Sequence, residues 1–189
     1  MPVGADQAPM IEQTNEIVRR LNRQVGHALL PEARALIPES GRLPGVDGRA
    51  KMSRSQGNAL ALSATEDAIR AAVRRMYTDP DHLRVTDPGR VEGNVVFTYL
   101  DAFDPDCDAL AALKAHYRRG GLGDTAVKRR LETVLLDLLA PIRSRRAAWA
   151  DRPDDVRDIL RDGTRRARRV TQSTLEAVKD ALGLYRVAR

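Results

Sequence analysis

Between Asp124 and Trp149, large apolar residues fall at Val127, Leu131, Val134, Leu135, Leu138 and Ile142. That spacing puts them on one side of a 3.6-residue helix. Such a stripe has to be covered, so this segment commits the chain to packing helix on helix. Composition points the same way. Aromatic residues make up 4% of the chain and apolar residues 42%. A core must then come from Leu, Val, Ile and Ala, which suits helices better than a β-sandwich. The expected fold class is mostly α.

The other elements follow from caps and breakers. Gln7 to Gln24 reads as a helix with Met10, Thr14, Ile17 and Leu21 on one face. Ala64–Tyr77 reads as a second, capped by Ser63 with Glu66 three residues on. Asn94–Phe103 is helical despite its β-formers. Cys107–Arg119 is helical and stopped by Gly120–Gly121. Asp124 caps the long helix, and Pro141 should kink it. Pro153–Val170 and Ser173–Leu184 read as two more helices, the second opening on a capping box of Ser173 and Glu176. Pro38–Asn58 is a long loop dense in Gly, Pro and Ser, and loops that long in a compact domain are usually functional or disordered. A boundary near Thr78–Pro88 would divide the chain into a loop-rich part, 1–78, and a helical part, 79–189.

Charge is uneven. Net charge is +6, with 13 cationic against 12 anionic residues up to Leu100 and 19 against 14 from Asp101 onward. A basic half suits an anionic partner, nucleic acid first, but also fits a solvated arginine-rich surface. The single cysteine, Cys107, rules out an internal disulfide and a thiolate zinc site. No apolar run nears the roughly 18 residues needed to span a membrane. The first ten residues lack the basic and apolar regions of a secretory signal. A cytoplasmic location is expected.

The most informative residues are Lys51-Met52-Ser53-Arg54-Ser55, followed by Gly57-Asn58. Two cations, two hydroxyls and a glycine sit together on a loop that leads into a helix. Such a segment suits a triphosphate: the cations offset charge on departing pyrophosphate, and hydroxyls and loop N–H groups donate to it. Many solvated basic loops have the same composition, so this reading and the plain one both stand on residue type alone.

Lys51–Ser55 resembles the KMSKS signature of class I aminoacyl-tRNA synthetases, with Arg54 in place of the second lysine. Its setting, LPGVDGRAKMSRSQGNALALS (Leu43–Ser63), is similar to the tryptophanyl subgroup. So are Pro2-Val3-Gly4-Ala5-Asp6-Gln7 and Ile11-Glu12-Gln13-Thr14 upstream, and Asp87-Pro88-Gly89 and Glu92–Phe97 downstream. The likeness runs along essentially the whole chain. It implies the remnant of a class I α/β nucleotide-binding domain over 1–78, followed by an α-helical anticodon-binding bundle over 79–189. It implies ATP with its Mg, tryptophan and tRNA as ligands. It carries ATP contacts onto Gly4, Asp6, Leu43, Lys51, Met52, Ser53, Arg54 and Ser55, with Lys51 and Arg54 holding pyrophosphate, and substrate contact onto Gln7. Arg keeps the charge and grips phosphate through its planar fork, so the change at Arg54 preserves that role. Arg161, Arg165, Arg166, Arg168 and Arg169 are candidate tRNA contacts, or simply a solvated helix face. Trp149 and Tyr185 are the main candidates for stacking on bases.

The family also uses a HIGH-type motif and an Asp that reads the indole N–H. Neither is in this sequence, and His27, His82 and His116 are each isolated. His27 and His116 read as surface or packing residues. The resemblance therefore leads us to expect the C-terminal half of a synthetase, with apolar faces that have lost their partners. Three readings follow: one half of a tryptophan–tRNA ligase working with a separate N-terminal half, a non-catalytic tRNA-binding or regulatory module, or a decayed fragment. No metal site is expected.

Overall fold

A computed structural model describes residues 1–38, 43–49 and 52–184. Lys51 and Tyr185 lie outside the described residues. Helices dominate, and β-structure among the described residues is limited to one parallel bridge between Pro2 and Leu36. The helices are α1 (Ala8–Val25), α2 (Glu66–Arg75), α3 (Val95–Phe103), α4 (Cys107–Arg119), α5 (Asp124–Ala150) and α6 (Pro153–Ala181). They fall into two compact units, Arg42–Ala148 in one, and Met1–Gly41 with Trp149–Arg189 in the other.

The Arg42–Ala148 unit has a continuous apolar core. It runs from Val46 through Ile69, Val73 and Met76 to Phe97, Tyr99 and Leu100, and on to Leu131, Leu135 and Leu139. Residues on both sides of Thr78–Pro88 share it. Leu131 and Val127 are fully buried on α5, each contributing on the order of 1.5–3 kcal/mol. The inward stripe of α5 is Val127, Leu131, Val134, Leu135 and Leu139, while Leu138 is exposed. The α5 helix runs on through Pro141. On α3, Val95, Val96 and Phe97 are all buried, so packing overrides their β-preference. The Asn94 side chain caps α3 by accepting from Val96 N at 3.1 Å. Gly120 ends α4 at φ 82°, a backbone region open to glycine.

Two local expectations shift. The cap of α2 is Thr65, whose Oγ1 accepts from Ala68 N at 3.2 Å, so the helix starts two residues later than Ser63 allows. And α6 is one helix, not two. Thr171 and Thr174 hydroxyls donate back to Ala167 and Val170 carbonyls, leaving no break for a cap at Ser173.

In the other unit, α1 turns a different face inward from the one its apolar residues suggest. Ile11, Asn15 and Val18 are buried, while Met10 and Ile17 are exposed. The reason is polar. Asn15 exchanges two hydrogen bonds with Ala33, donating to its carbonyl at 2.9 Å and accepting from its N–H at 2.7 Å. Seven residues on, Asn22 accepts from Leu29 and Leu30 and donates to the Leu30 carbonyl. Two asparagines on one face thus tie the returning segment 29–33 to α1. No residue of α6 is buried.

Candidate functional site

The signature loop stands on a polar clasp. Asn58 is buried, and its carbonyl accepts from Val46 N at 3.0 Å. Its amide donates to Asp47 Oδ1 at 3.0 Å and accepts from Ser53 N at 2.7 Å. One side chain therefore joins the P-G-x-D-G turn before the loop to the serines within it. The turn has no room to spare: a Cβ on Gly45 would lie 2.2 Å from the Asn58 amide nitrogen. Partial burial pushes the Asp47 carboxyl up, but the Asn58 amide, the Arg49 backbone N–H and the Arg49 guanidinium outweigh this and hold it below its ordinary value. The clasp is anchored outward too. Tyr77 N donates to Val46 O, and the Tyr99 hydroxyl donates to Pro44 O at 2.8 Å. Burial raises the Tyr99 phenol to about 12, so it stays a donor at any physiological pH.

On this base the loop presents hydroxyls and charge. Ser53 Oγ and Ser55 Oγ lie 2.8 Å apart, and Gly57 N donates to Arg54 O in a turn with Gly57 at φ 65°. Arg54 is exposed and has no ion pair among the described residues. Met52, Ser53, Arg54, Gly57 and Leu60 line an open hollow of about 410 Å³. Two serine hydroxyls bonded to each other thus flank an arginine that has no ion pair among the described residues. Leu43 is partly buried against the core and lies in no strand.

The remaining predicted residues lie in the other unit. Gly4 opens a 3-10 turn over Ala5–Gln7, with Gln7 N donating to Gly4 O at 3.0 Å. Asp6 and Gln7 are exposed, their side chains joined at 3.3 Å. The five α6 arginines divide. Arg161 and Arg165 are ion-paired to Asp158 and Asp162, while Arg166, Arg168 and Arg169 have no carboxylate partner among the described residues. Arg165, Arg166, Arg168 and Arg169 share one stretch of surface with Gln172. Trp149 is exposed but lies under the Arg152 guanidinium, 4.5 Å from the ring centre.

Sequence reasoning missed Asn58 as the organising residue. The signal was the pairing of a P-G-V-D-G turn with a Gly-Asn that closes the loop. It also missed His82. That ring is buried against Tyr117, with Nδ1 3.1 Å from Asp124 Oδ1, which the Tyr117 hydroxyl reaches at 2.7 Å. Burial, then the Asp124 carboxylate, raises the Tyr117 phenol well above its ordinary value.

These features define a class. Residues 1–140 match the model of the tRNA synthetases class I (W and Y), and the chain belongs to that family. Its relatives within it are more particular. The chain is 51% identical over 186 residues to a tryptophan–tRNA ligase of Clostridium longisporum, covering 97% of this chain and 54% of that protein. It is 48% identical over 190 residues to the tryptophan–tRNA ligase of a Streptococcus pneumoniae serotype 4 strain, covering 98% and 56%. Among solved structures, tryptophanyl-tRNA synthetase from Campylobacter jejuni superposes with a TM-score of 0.69 at 26% identity, covering 97% of this chain and 57% of that one. The chain thus spans about half the length of the curated relatives it matches. No helix among its described residues is long and apolar enough to cross a membrane.

Proposed function

We propose that this chain serves the pyrophosphate and RNA sides of ATP-dependent tryptophan–tRNA ligation. The observation that carries the reading is the clasped loop, with two hydrogen-bonded hydroxyls flanking an Arg54 that has no ion pair among the described residues, in a chain whose relatives are tryptophan–tRNA ligases. In this reading 1–78 is the later part of the class I nucleotide-binding domain and 79–189 is the tRNA-binding domain. Lys51 and Arg54 hold the departing pyrophosphate, assisted by the Ser53 and Ser55 hydroxyls. Their charge is worth most where it develops, at the bond between the α- and β-phosphates. Gly4, Asp6 and the Leu43 backbone contact ATP, and Gln7 contacts tryptophan. Arg161, Arg165, Arg166, Arg168 and Arg169 meet tRNA phosphates.

The 189 residues contain no HIGH-type motif, so tryptophan activation needs a complementing half. The test is tryptophan-dependent exchange of labelled pyrophosphate into ATP. The chain alone should give no exchange above the blank. Mixed with a recombinant piece covering the remaining length of a relative, it should exchange, and Arg54→Ala should lower that rate by at least tenfold. Exchange by the chain alone overturns the need for a complementing half. An Arg54→Ala variant as fast as wild type removes the role given to the loop. A second reading, a tRNA-binding module without activation, is favoured by Arg166, Arg168 and Arg169, which have no carboxylate partner among the described residues. It takes over if the mixture binds tRNA and never exchanges.

A further inference from the structure

Where α2 ends and α5 begins, both within the Arg42–Ala148 unit, cations outnumber the carboxylates free to meet them. A hollow of about 460 Å³ opens there, with Arg74 from α2 and Lys128 and Arg129 from α5 on its wall. Lys128 is fixed in place, its Nζ donating to the Arg74 carbonyl at 2.9 Å. It is partly buried, and desolvation lowers its ammonium from the ordinary value, partly countered by Asp124. A charge moved out of water calls for a counter-charge.

The two carboxylates on the wall already have partners, and Asp124 offsets only part of the Lys128 charge. Asp124 is held by Thr78, by the Tyr117 hydroxyl at 2.7 Å and by His82 at 3.1 Å. Glu132 lies 3.3 Å from Arg70 Nε. The Arg74 and Arg129 guanidiniums have no carboxylate partner among the described residues. The first turn of the 27-residue α5 adds a partial positive charge. Apart from Val73 the wall is polar, with no aromatic face for a base. Such a surface grips a phosphate without reading a base, as backbone contacts to RNA do.

We propose that Arg74, Lys128 and Arg129 form a binding site for a backbone phosphate of bound RNA. The proposal rests on the reading that the chain binds tRNA, and adds cations other than the α6 arginines to that binding. Lys128 supplies the fixed charge, and the two exposed arginines close over the phosphate oxygens.

The test is filter binding of tryptophan tRNA to the full chain between about 50 and 200 mM salt. Removing one cation that meets a phosphate should flatten the log–log salt slope by about one and weaken binding roughly tenfold near 0.1 M. Arg74→Gln and Arg129→Gln should each do so, and both together should add. Arg74→Lys, which keeps the charge, should hold the slope, and so should Arg118→Gln on α4, whose residue pairs with Glu92 in the turn before α3. All four are surface changes, and unchanged circular dichroism confirms folding. Variants that bind with the wild-type slope overturn the site alone. A wild-type chain that does not bind tRNA at about 50 mM salt overturns both the site and the RNA half of the proposed function. In a parallel arm, equilibrium dialysis with ATP separates the phosphate sources. If the glutamine variants lose ATP and keep RNA, the assignment to RNA is overturned.

Discussion

Two helices of nearly equal length are held in opposite ways. α5 spans 27 residues and buries Val127, Leu131, Val134, Leu135 and Leu139. α6 spans 29 and buries none, leaving Ile159, Leu160, Val170 and Leu175 at least half exposed. Along α6, Asp154–Arg157, Asp158–Arg161 and Asp162–Arg165 pair three residues apart. Its helicity rests on propensity and on such neighbouring charges, each worth a few tenths of a kcal/mol, whereas α5 rests on a shared core. Helices of nearly equal length can therefore serve as a structural beam or as a charged surface. What separates them is whether other elements supply a partner.

The largest effect should appear where that partner is present. Leu131→Ala should destabilise the chain by about 2–5 kcal/mol in urea unfolding. Leu160→Ala on α6 should stay within about 0.5 kcal/mol. Comparable losses at both positions would erase the contrast.

A smaller loss should follow at the polar edge of the core. The Asp104 side chain is fully buried and takes two hydrogen bonds of 2.8 Å from Arg130, one from Nε and one from Nη2. Those bonds hold its carboxyl below the ordinary range, against the effect of burial. Asp104→Asn should cost about 2–3 kcal/mol. Because the folded value is lowered, the contribution is complete above the unfolded value near about 4 and is lost as pH falls through the lower folded one. Wild type should therefore lose its advantage over Asp104→Asn in melts between about pH 5 and 2. An advantage constant over that range would mean the carboxylate charge is not what matters.

The smallest effect sharpens the other side. Asp158→Asn with Asp162→Asn should cost only about 0.2–0.5 kcal/mol per pair. The helical signal should dip at low salt, and the difference should shrink as salt screens the pairs. A large, salt-independent loss would mean α6 is packed after all.

The pattern of what the sequence revealed follows the same division. α4 was legible because Gly120 marks its end directly, and α5 does begin at Asp124, though that carboxylate is held by Thr78, Tyr117 and His82. The register of α5 slipped at one point, Leu139 replacing Leu138, because an apolar pair offers both positions and only packing chooses. α1 was located well but its face was misread. Hydrophobicity pointed to Met10 and Ile17, while the amide bonds of Asn15 decided the orientation, and periodicity cannot register a side chain that recognises backbone. At the site, Met52–Ser55 and Arg54 were legible as a motif. The clasp was not, because it depends on Asn58 meeting Asp47 and Val46, residues adjacent only after folding.

That clasp also sets the entropy of the loop. With Val46 N bonded to Asn58 O, the chain between them is closed into a ring. Drawing the ends of a dozen residues together costs on the order of 2 kcal/mol of chain freedom. Here that cost is met during folding by a buried Val46 and Asn58. In the proposed function, an anion arriving at Ser53, Arg54 and Ser55 would find a tethered segment whose endpoints need no further ordering. Its affinity is free to depend on local charge and hydroxyl geometry, and a Gly45→Ala change that strains the tether should be felt at the rim without touching any group there.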